Sequence, residues 1–244
     1  MVNNFLKISE TDSTNLYLRK LLKEKDLPNF FCVSADFQTK GRGQNGTIWE
    51  SNRGENLLFS FLIHSEKIPL DKQFLLSEIV SIGICNAMKK HNLDTKIKWA
   101  NDIFYQDKKL AGILIETIIL GNKMKYAIVG IGLNVNQIEF SNDLPNAISL
   151  RQIFNKWCDC QEILNTILME ISILFETFDL KNRENLQKKY FELLYRNNGY
   201  HLFEDKNENF YAKILSVAPD GCLKLLTDKG LKKKFYFKEV KFFI

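Results

Sequence analysis

The sequence predicts an α/β chain of the α+β type, in which an antiparallel sheet packs with buried helices and a small β domain follows. Within residues 96–136, short apolar runs are joined by tight polar turns, a pattern typical of an antiparallel meander. Residues 72–91 have apolar side chains on two faces, which predicts a largely buried helix. From Gly199 onward, short strands alternate with the turns EDKNEN, APDG and DKG, which are strong hairpin signals. We therefore predict two domains, residues 1–197 and residues 198–244.

The N-terminal part of the sequence predicts strands separated by one helix. Strands are predicted at residues 5–8, 30–35 and 55–63. The helix is predicted at about residues 15–25, because its leucines share one face. Ser13 and Thr14 stand where a helix cap is expected, and from spacing alone capping is the simplest interpretation of both.

Three helices are predicted on the C-terminal side of the meander. Ser149 and Gln152 match the capping-box pattern, and apolar residues at helical spacing extend this helix to Trp157. A second helix is predicted to open at Asp159 and reach about residue 178, and a third covers about residues 184–196. No residue in these helices points to chemistry, so we assign them a structural role.

Composition narrows the classes of function. The chain has 244 residues and a net charge of +5, with the charges dispersed. This balance suits an anionic ligand or an acidic partner but lacks the clustered basic face of a nucleic-acid binder. Five irregularly spaced cysteines predict a reducing compartment without disulfides, and three scattered histidines argue against a zinc site or a histidine-based triad. The first ten residues lack a signal-peptide pattern and the apolar runs are too short to span a membrane, so we expect a cytoplasmic protein.

The segment QTKGRGQNGTIWES, residues 38–51, is the strongest functional signal. Three glycines surround Arg42, whose planar fork of donors suits a phosphate or a carboxylate. The spacing also matches the dinucleotide-binding pattern GxGxxG, but that pattern needs a helix after it and a strand is predicted here. An ordinary glycine-rich hairpin loop explains the glycines, but not Trp49 and a lone arginine in the same turn.

The meander contains a lysine and an Asn–Asp pair that are candidates for chemistry. Lys109 precedes small residues on a sheet that also carries two glycines in its next strand, which resembles a floor for a flat ligand. Because Lys109 lies next to Lys108, a solvent-exposed lysine in a turn is an alternative interpretation. Asn101 and Asp102 follow a short strand directly, and such a pair either makes a turn or supplies oxygen ligands to a nucleotide and Mg²⁺.

Taken in order, these segments resemble the motifs of the biotin–protein ligases, which attach biotin to a lysine of carboxylase carrier domains. The matching segments are TDSTN, QTKGRGQNGTIWES, KWANDIFYQDKKLAGILIE and GIGLNVN, and the last 45 residues resemble the family's small C-terminal domain. The resemblance covers nearly the whole chain. It implies a mixed, mainly antiparallel sheet backed by helices, of the class II synthetase or biotin–lipoate ligase type, with a C-terminal SH3-like β-barrel.

The resemblance also implies a two-step reaction that uses biotin, ATP and Mg²⁺. The biotin carboxylate attacks the α-phosphate of MgATP to give biotinyl-5′-AMP and pyrophosphate, and a carrier lysine then attacks the mixed anhydride. Positive charge favours the meeting of two anions, and the implied catalytic residues are Lys109 and Arg42. No protein nucleophile is required.

The site residues below are those that the resemblance implies. For biotin they are Ser13, Thr14, Asn15, Gln38, Gly41, Arg42, Gly43, Lys109, Gly112 and Gly130. For ATP and the adenylate they are Arg42, Gln44, Gly46, Trp49, Asn101, Asp102, Lys109 and Asn134. Asp102 is the implied ligand of Mg²⁺.

Two residues depart from the family pattern. Gln44 stands where many members have a second arginine, so we expect weaker retention of biotinyl-AMP. Ala100 replaces the usual proline between Trp99 and Asn101, which we expect to loosen the backbone slightly without altering the chemistry.

The expected partner is a biotin carboxyl carrier protein or domain, with no DNA and no membrane, and the chain is expected to be a monomer or a homodimer. Bifunctional members have a helix-turn-helix domain before the catalytic domain. Here TDSTN begins at residue 11, so we expect no operator binding. The alternative function is a lipoate or octanoate–protein ligase or transferase of the related fold family. A third class, a non-enzymatic biotin-binding protein, would lack the catalytic lysine.

Overall fold

The structure is a computed structural model that describes residues 4–243, so the outermost residues of both predicted domains lie outside the described range. A seven-stranded sheet forms its larger part, in the order β1-β2-β3-β7-β6-β5-β4. The strands are β1 (Phe5–Thr11), β2 (Cys32–Gln38), β3 (Leu57–His64), β4 (Lys96–Lys98), β5 (Asp102–Tyr105), β6 (Lys108–Leu120) and β7 (Lys123–Leu133). Strands β1 and β2 are parallel and the other neighbours are antiparallel. The predicted mixed, mainly antiparallel sheet is therefore confirmed.

Five helices accompany this sheet. They are α1 (Thr14–Glu24), α2 (Phe74–Lys90), α3 (Leu150–Phe154), α4 (Cys160–Thr177) and α5 (Arg183–Leu193). Helix α2 is apolar nearly all round and lies between the sheet and helices α4 and α5, as its two apolar faces predict. A β-carbon on Gly83 would lie 2.5 Å from Ile171 of α4, so this glycine allows the two helices their close approach. Within residues 4–243, no helix combines the length and apolarity needed to cross a bilayer.

Helix α3 begins as predicted but ends earlier. Ser149 Oγ accepts a hydrogen bond from Gln152 N, and Gln152 Oε1 accepts one from Ser149 N, which confirms the capping box. Asn155 then adopts a left-handed conformation with φ 53°, which asparagine tolerates better than most residues, and this ends the helix. The predicted extension to Trp157 is wrong, and the indole of Trp157 is exposed beneath the Arg151 guanidinium.

The C-terminal part forms a separate five-stranded antiparallel sheet, in the order β11-β10-β9-β8-β12. Its strands are β8 (His201–Asp205), β9 (Asn209–Val217), β10 (Leu223–Thr227), β11 (Lys232–Phe235) and β12 (Val240–Phe242). The fold class with a small C-terminal β domain is confirmed. The hydrophobic cores of the two sheets are continuous, since the Tyr195 ring lies 5.4 Å from that of Phe104 and 6.5 Å from that of Phe242. A domain boundary near residue 197 stays a prediction.

Trp99 attaches the C-terminal sheet to the larger one. Its Nε1 donates to the carbonyl oxygen of Gly221 at 3.0 Å, and its ring makes an edge contact with Phe237. The peptide bond between Trp99 and Ala100 is cis. The contact between the rings of Trp99 and Phe237 places the segment that ends in Asn101 and Asp102 beside the turn that joins β11 to β12.

Candidate functional site

A cavity of about 210 Å³ lies on one face of the seven-stranded sheet. Its wall is formed by the start of α1, the loop after β2, strands β6 and β7, and the turn between β11 and β12. The sequence-predicted residues that line it are Ser13, Thr14, Asn15, Gln38, Arg42, Gly43, Gln44, Trp49, Asn101, Asp102, Lys109, Gly112 and Gly130. Residues that are far apart in the sequence thus converge on one cavity.

Three predicted site residues do not line this cavity. The carbonyl oxygen of Gly41 accepts from Trp49 N at 3.0 Å, so Gly41 shapes the loop. Gly46 ends a 3₁₀ turn with φ +80°, a conformation that glycine adopts readily. Asn134 is buried, and its Nδ2 donates to the carbonyl oxygen of Ile148 at 3.1 Å and lies 3.4 Å from that of Lys109. These residues support the backbone around the cavity instead of facing it.

One end of the cavity is a buried network of neutral polar groups, which we call the polar end. Gln38 Oε1 accepts from Thr14 N at 2.7 Å and from Thr14 Oγ1 at 3.1 Å. Ser60 Oγ, on β3, lies 2.7 Å from Thr14 Oγ1 and 2.6 Å from Asn15 Oδ1. Ser13 precedes α1 but its side chain makes no capping hydrogen bond. The interpretation of Ser13 and Thr14 as caps alone is therefore wrong, because their side chains face the cavity.

The other end, which we call the cationic end, contains Lys109 because of an irregularity in β6. Ala111 pairs with Ile103, whereas Lys109 pairs with Phe104, so β6 has one extra residue at this point. Such a bulge reverses the alternation of side chains between the two faces of a strand. Lys109 and Gly112, which strict alternation would place on opposite faces, therefore both line the cavity.

Lys109 is engaged in an ion pair. Its Nζ lies 2.8 Å from Asp102 Oδ1 and 5.5 Å from the centroid of the Trp49 ring. Lys108 is exposed, so the solvated turn position belongs to Lys108 and not to Lys109. Burial lowers the pKa of neighbouring Lys98; Asp102 opposes this shift and the charge of Lys109 adds to it. The cationic end thus concentrates positive charge that a single carboxylate, Asp102, only partly offsets.

Asn101 serves both as a structural link and as part of the wall. Its Nδ2 donates to the carbonyl oxygen of Ile113 at 2.8 Å, and its carbonyl oxygen accepts from Ile113 N at 2.9 Å. Asp102 begins β5 and directs its carboxylate to Lys109. Residues 4–243 contain no cluster of three or more His, Cys, Asp or Glu side chains that could hold a metal ion. Among the described residues that line the cavity, Asp102 is the one carboxylate.

Glycines of β6 and β7 make room for two side chains of the cavity. A β-carbon on Gly112 would lie 2.9 Å from Trp49 Cζ3, and one on Gly132 would collide with the same indole. A β-carbon on Gly130 would collide with the Asn15 amide. The expected flat floor is therefore covered by Trp49 and Asn15, whose close approach requires the missing β-carbons. Trp49 Nε1 is buried and has no hydrogen-bond partner within the described part of the chain.

Sequence reasoning missed several residues of the site. The additional wall residues are Thr47, Ile48, Ile113, Leu114, Ile131, Gly132, Phe237 and Lys238. Ser60 and Glu116 hold the polar residues from behind. Ser60 is a lone hydroxyl among the apolar residues of a predicted strand, and Glu116 follows Gly112 at an even spacing on β6, so both left a signal in the sequence. Phe237 and Lys238 belong to the turn that connects β11 to β12 and carry no recognisable motif.

Comparison with known proteins agrees with this architecture. A model of the biotin/lipoate A/B protein ligase family matches residues 8–134, more than half of the chain. The bifunctional ligase/repressor BirA of Bacillus subtilis is 29% identical over 233 residues, which cover 87% of this chain and 66% of the relative. Biotin–protein ligase 2 of Arabidopsis thaliana is 30% identical over 73% of this chain and 55% of its own length. The chain spans about two thirds or less of the length of these curated relatives.

Solved structures extend the match to nearly the whole chain. The biotin protein ligase from Aquifex aeolicus in complex with biotin and ATP superposes with a TM-score of 0.79 at 28% identity and covers 98% of each chain. The apo structure of the same ligase superposes with a TM-score of 0.75 at 25% identity, and again covers 98% of each chain. The C-terminal sheet is therefore part of the shared architecture.

Proposed function

This chain belongs to the biotin/lipoate A/B protein ligase family, and on that premise we propose that it is an ATP-dependent biotin–protein ligase. The observation that supports this proposal best is the contrast within one cavity between a neutral, hydrogen-bonding end and a cationic end. Such a cavity suits a ligand with a polar uncharged head and an acidic tail. Biotin, which has a ureido head and a carboxylate, is such a ligand, and the Arabidopsis thaliana relative and the Aquifex aeolicus structure named above are biotin–protein ligases.

The polar end would bind the ureido head. A buried urea has two donors and a carbonyl acceptor, and each one left without a partner costs about 1–3 kcal/mol. Ser13, Thr14, Asn15 and Gln38 line this end and offer both donors and acceptors. A lipoyl or octanoyl head has no groups to bond to these side chains. The polar end therefore favours biotin over the lipoate or octanoate alternative.

The cationic end would bring two anions together. The biotin carboxylate attacks the α-phosphorus of ATP, the bond to the bridging oxygen breaks, and pyrophosphate leaves. Lys109 and Arg42 lower the repulsion between the carboxylate and the phosphate and stabilise the charge that develops during the attack. Asp102 must release Lys109 for this role, since the ion pair occupies the lysine in the structure.

Mg²⁺ fits this end as a companion of the nucleotide. Magnesium in nucleotide sites is bound by one or two carboxylates together with phosphates and water, so a single Asp102 is a sufficient protein ligand. When bound, it would supply further neutralisation of the phosphate charge. Asn101, beside Asp102, is suited to bind the nucleotide.

In the second step, the amine of a lysine on an acceptor protein attacks the carbonyl carbon of biotinyl-5′-AMP. The bond to the phosphate oxygen breaks, AMP leaves, and the new amide nitrogen loses a proton to solvent. We propose a carboxyl carrier domain as the acceptor.

Phe237 and Lys238 place the C-terminal sheet at the cavity, and we propose that they help to hold ATP or the carrier. All five cysteines are free thiols, which supports a reducing compartment such as the cytoplasm.

The test is pyrophosphate exchange into ATP with biotin, lipoate or octanoate as the only acid present. We expect exchange that depends on biotin. Exchange with lipoate or octanoate instead would keep the mechanism and replace the substrate. No exchange with any of the three acids would overturn the proposal.

A further inference from the structure

Glu116 contacts two residues of the cavity wall, Asn15 and Arg42, although it does not line the wall itself. It lies on β6, and its side chain is about one quarter exposed. Asn15 Nδ2 donates to Glu116 Oε2 at 2.8 Å, while Arg42 Nη2 lies 3.4 Å from both carboxylate oxygens. One carboxylate therefore contacts both an amide of the polar end and the arginine of the loop after β2.

The contacts of Glu116 differ in tightness. A charge-assisted hydrogen bond between nitrogen and a carboxylate usually measures about 2.7–2.9 Å. Of the contacts of Glu116, only the one with Asn15, at 2.8 Å, has this length. The distance of 3.4 Å between Arg42 and Glu116 is that of a longer ion pair, which holds the arginine less firmly. Arg19, one turn after Asn15 on α1, is a second cation, with its Nη2 3.9 Å from Glu116 Oε1. If Arg42 turns to a ligand anion, Arg19 still balances the charge of Glu116.

Glu116 also stabilises the orientation of the Asn15 amide. Ser60 Oγ lies 2.6 Å from Asn15 Oδ1, and Glu116 accepts from Asn15 Nδ2, so both ends of the amide are held. The amide approaches the backbone of Gly130 so closely that a β-carbon there would collide with it. A carboxylate is an acceptor only, so it admits just one orientation of the amide.

We propose that Glu116 is a positioning residue for the ligation reaction. It fixes the Asn15 amide and keeps Arg42 directed at the cavity until a ligand anion replaces Glu116 as the partner of Arg42. Arg19 is the counter-charge that lets Arg42 leave. This inference rests on the proposed function, because it assigns Arg42 to the adenylation step.

Two substitutions separate these roles. Glu116→Gln keeps an oxygen acceptor for Asn15 but removes the charge that attracts Arg42. We expect a decrease in kcat for biotin-dependent pyrophosphate exchange of about tenfold, with the KM for biotin changed by less than about twofold. Glu116→Ala loses both contacts, so the KM for biotin should rise as well.

The decisive experiment is a double-mutant cycle with Arg42→Ala, measured by pyrophosphate exchange. If Glu116 acts through Arg42, Glu116→Gln lowers kcat in the wild-type background and has no further effect in the Arg42→Ala background. The control is Glu10→Gln, which removes an exposed pair with Arg53 and should leave kcat and KM unchanged. Thermal unfolding of each variant confirms that it is folded.

Three outcomes overturn the inference. An active wild type with an unaffected or faster Glu116→Gln variant shows that Glu116 does not position Arg42. If the free-energy effects of the two substitutions on kcat are additive in the double variant, the two residues act independently. A wild type without exchange overturns the proposed function, and this inference with it.

Discussion

The two ends of the cavity are built in different ways. The polar end joins β2, α1 and β3, and Thr14, Asn15 and Ser60 are buried to 96% or more and held by hydrogen bonds of 2.6–3.1 Å. Lys109 of the cationic end lies on a bulged strand and Arg42 lies on the loop after β2, and their side chains are 36% and 38% exposed. Regular elements inside the core thus hold the groups proposed to select the ligand. Less constrained segments hold the charged groups, which must exchange partners when the ligand arrives.

The strongest test of this contrast is Lys109→Ala. It removes a preorganised charge at the reacting centre, and we expect a loss of pyrophosphate exchange of about 10³-fold. Lys108→Ala is the matched control, since Lys108 is adjacent but exposed, and it should retain activity within about twofold. Exchange that stays within tenfold of wild type in Lys109→Ala would remove Lys109 from the mechanism.

The polar end is tested by Ser60→Ala. This change removes the hydroxyl next to Thr14 and Asn15, and one lost buried hydrogen bond of about 1.4 kcal/mol corresponds to a tenfold increase in the KM for biotin. The KM for ATP should not change, because Ser60 lies at the opposite end. Ser172→Ala on α4, whose hydroxyl bonds only within its own helix, is the control. Equal effects on both KM values would mean that the ends are not separate.

A smaller effect is expected when the missing cation is restored at the cationic end. Gln44 lines the cavity in a 3₁₀ turn, and Gln44→Arg should slow the release of biotinyl-AMP about tenfold by adding a charge near the phosphate. The measurement is the release rate of labelled adenylate into an excess of unlabelled biotin. Gln161→Arg, which adds the same charge on the first turn of α4, should not change it. Equal release from wild type and Gln44→Arg would refute the expected weaker retention.

The smallest effect on activity is expected in the helical layer behind the sheet. Glu78 of α2 is buried, and burial raises its pKa to about 7, against an opposing effect of Arg183. The folded state therefore keeps a proton that the unfolded state loses from about pH 4.5, so stability falls as the pH rises towards and through 7. Glu78→Gln should lack this decline, and its Tm should increase relative to wild type between pH 5 and pH 8.

Exchange activity at pH 8 should be unchanged in Glu78→Gln, because Glu78 is not part of the cavity wall. Glu184→Gln, at an exposed position in the first turn of α5, is the control. Parallel Tm profiles of wild type and Glu78→Gln would show that Glu78 does not titrate in this range.

The sequence predicted the elements because hydrophobic periodicity is a local signal, and most of the cavity residues followed from the resemblance of its motifs to those of the biotin–protein ligases. It did not predict that Trp49 and Asn15 cover Gly112 and Gly130, since a close approach depends on how distant elements pack. Nor did it identify Phe237, which depends on where the second sheet docks. Strict alternation would have placed Lys109 on the wrong face, and only the bulge in β6 resolves this.

The wall of the cavity has a consequence for the synthesis of the protein. Ser13 leaves the ribosome long before Phe237 and Lys238, which follow only after the seven-stranded sheet and four strands of the C-terminal sheet have been translated. Contacts between such distant residues form late in folding, because the intervening chain must be in place first. A nascent chain that still lacks the turn between β11 and β12 therefore cannot complete the cavity, and the complete wall forms only as this turn docks.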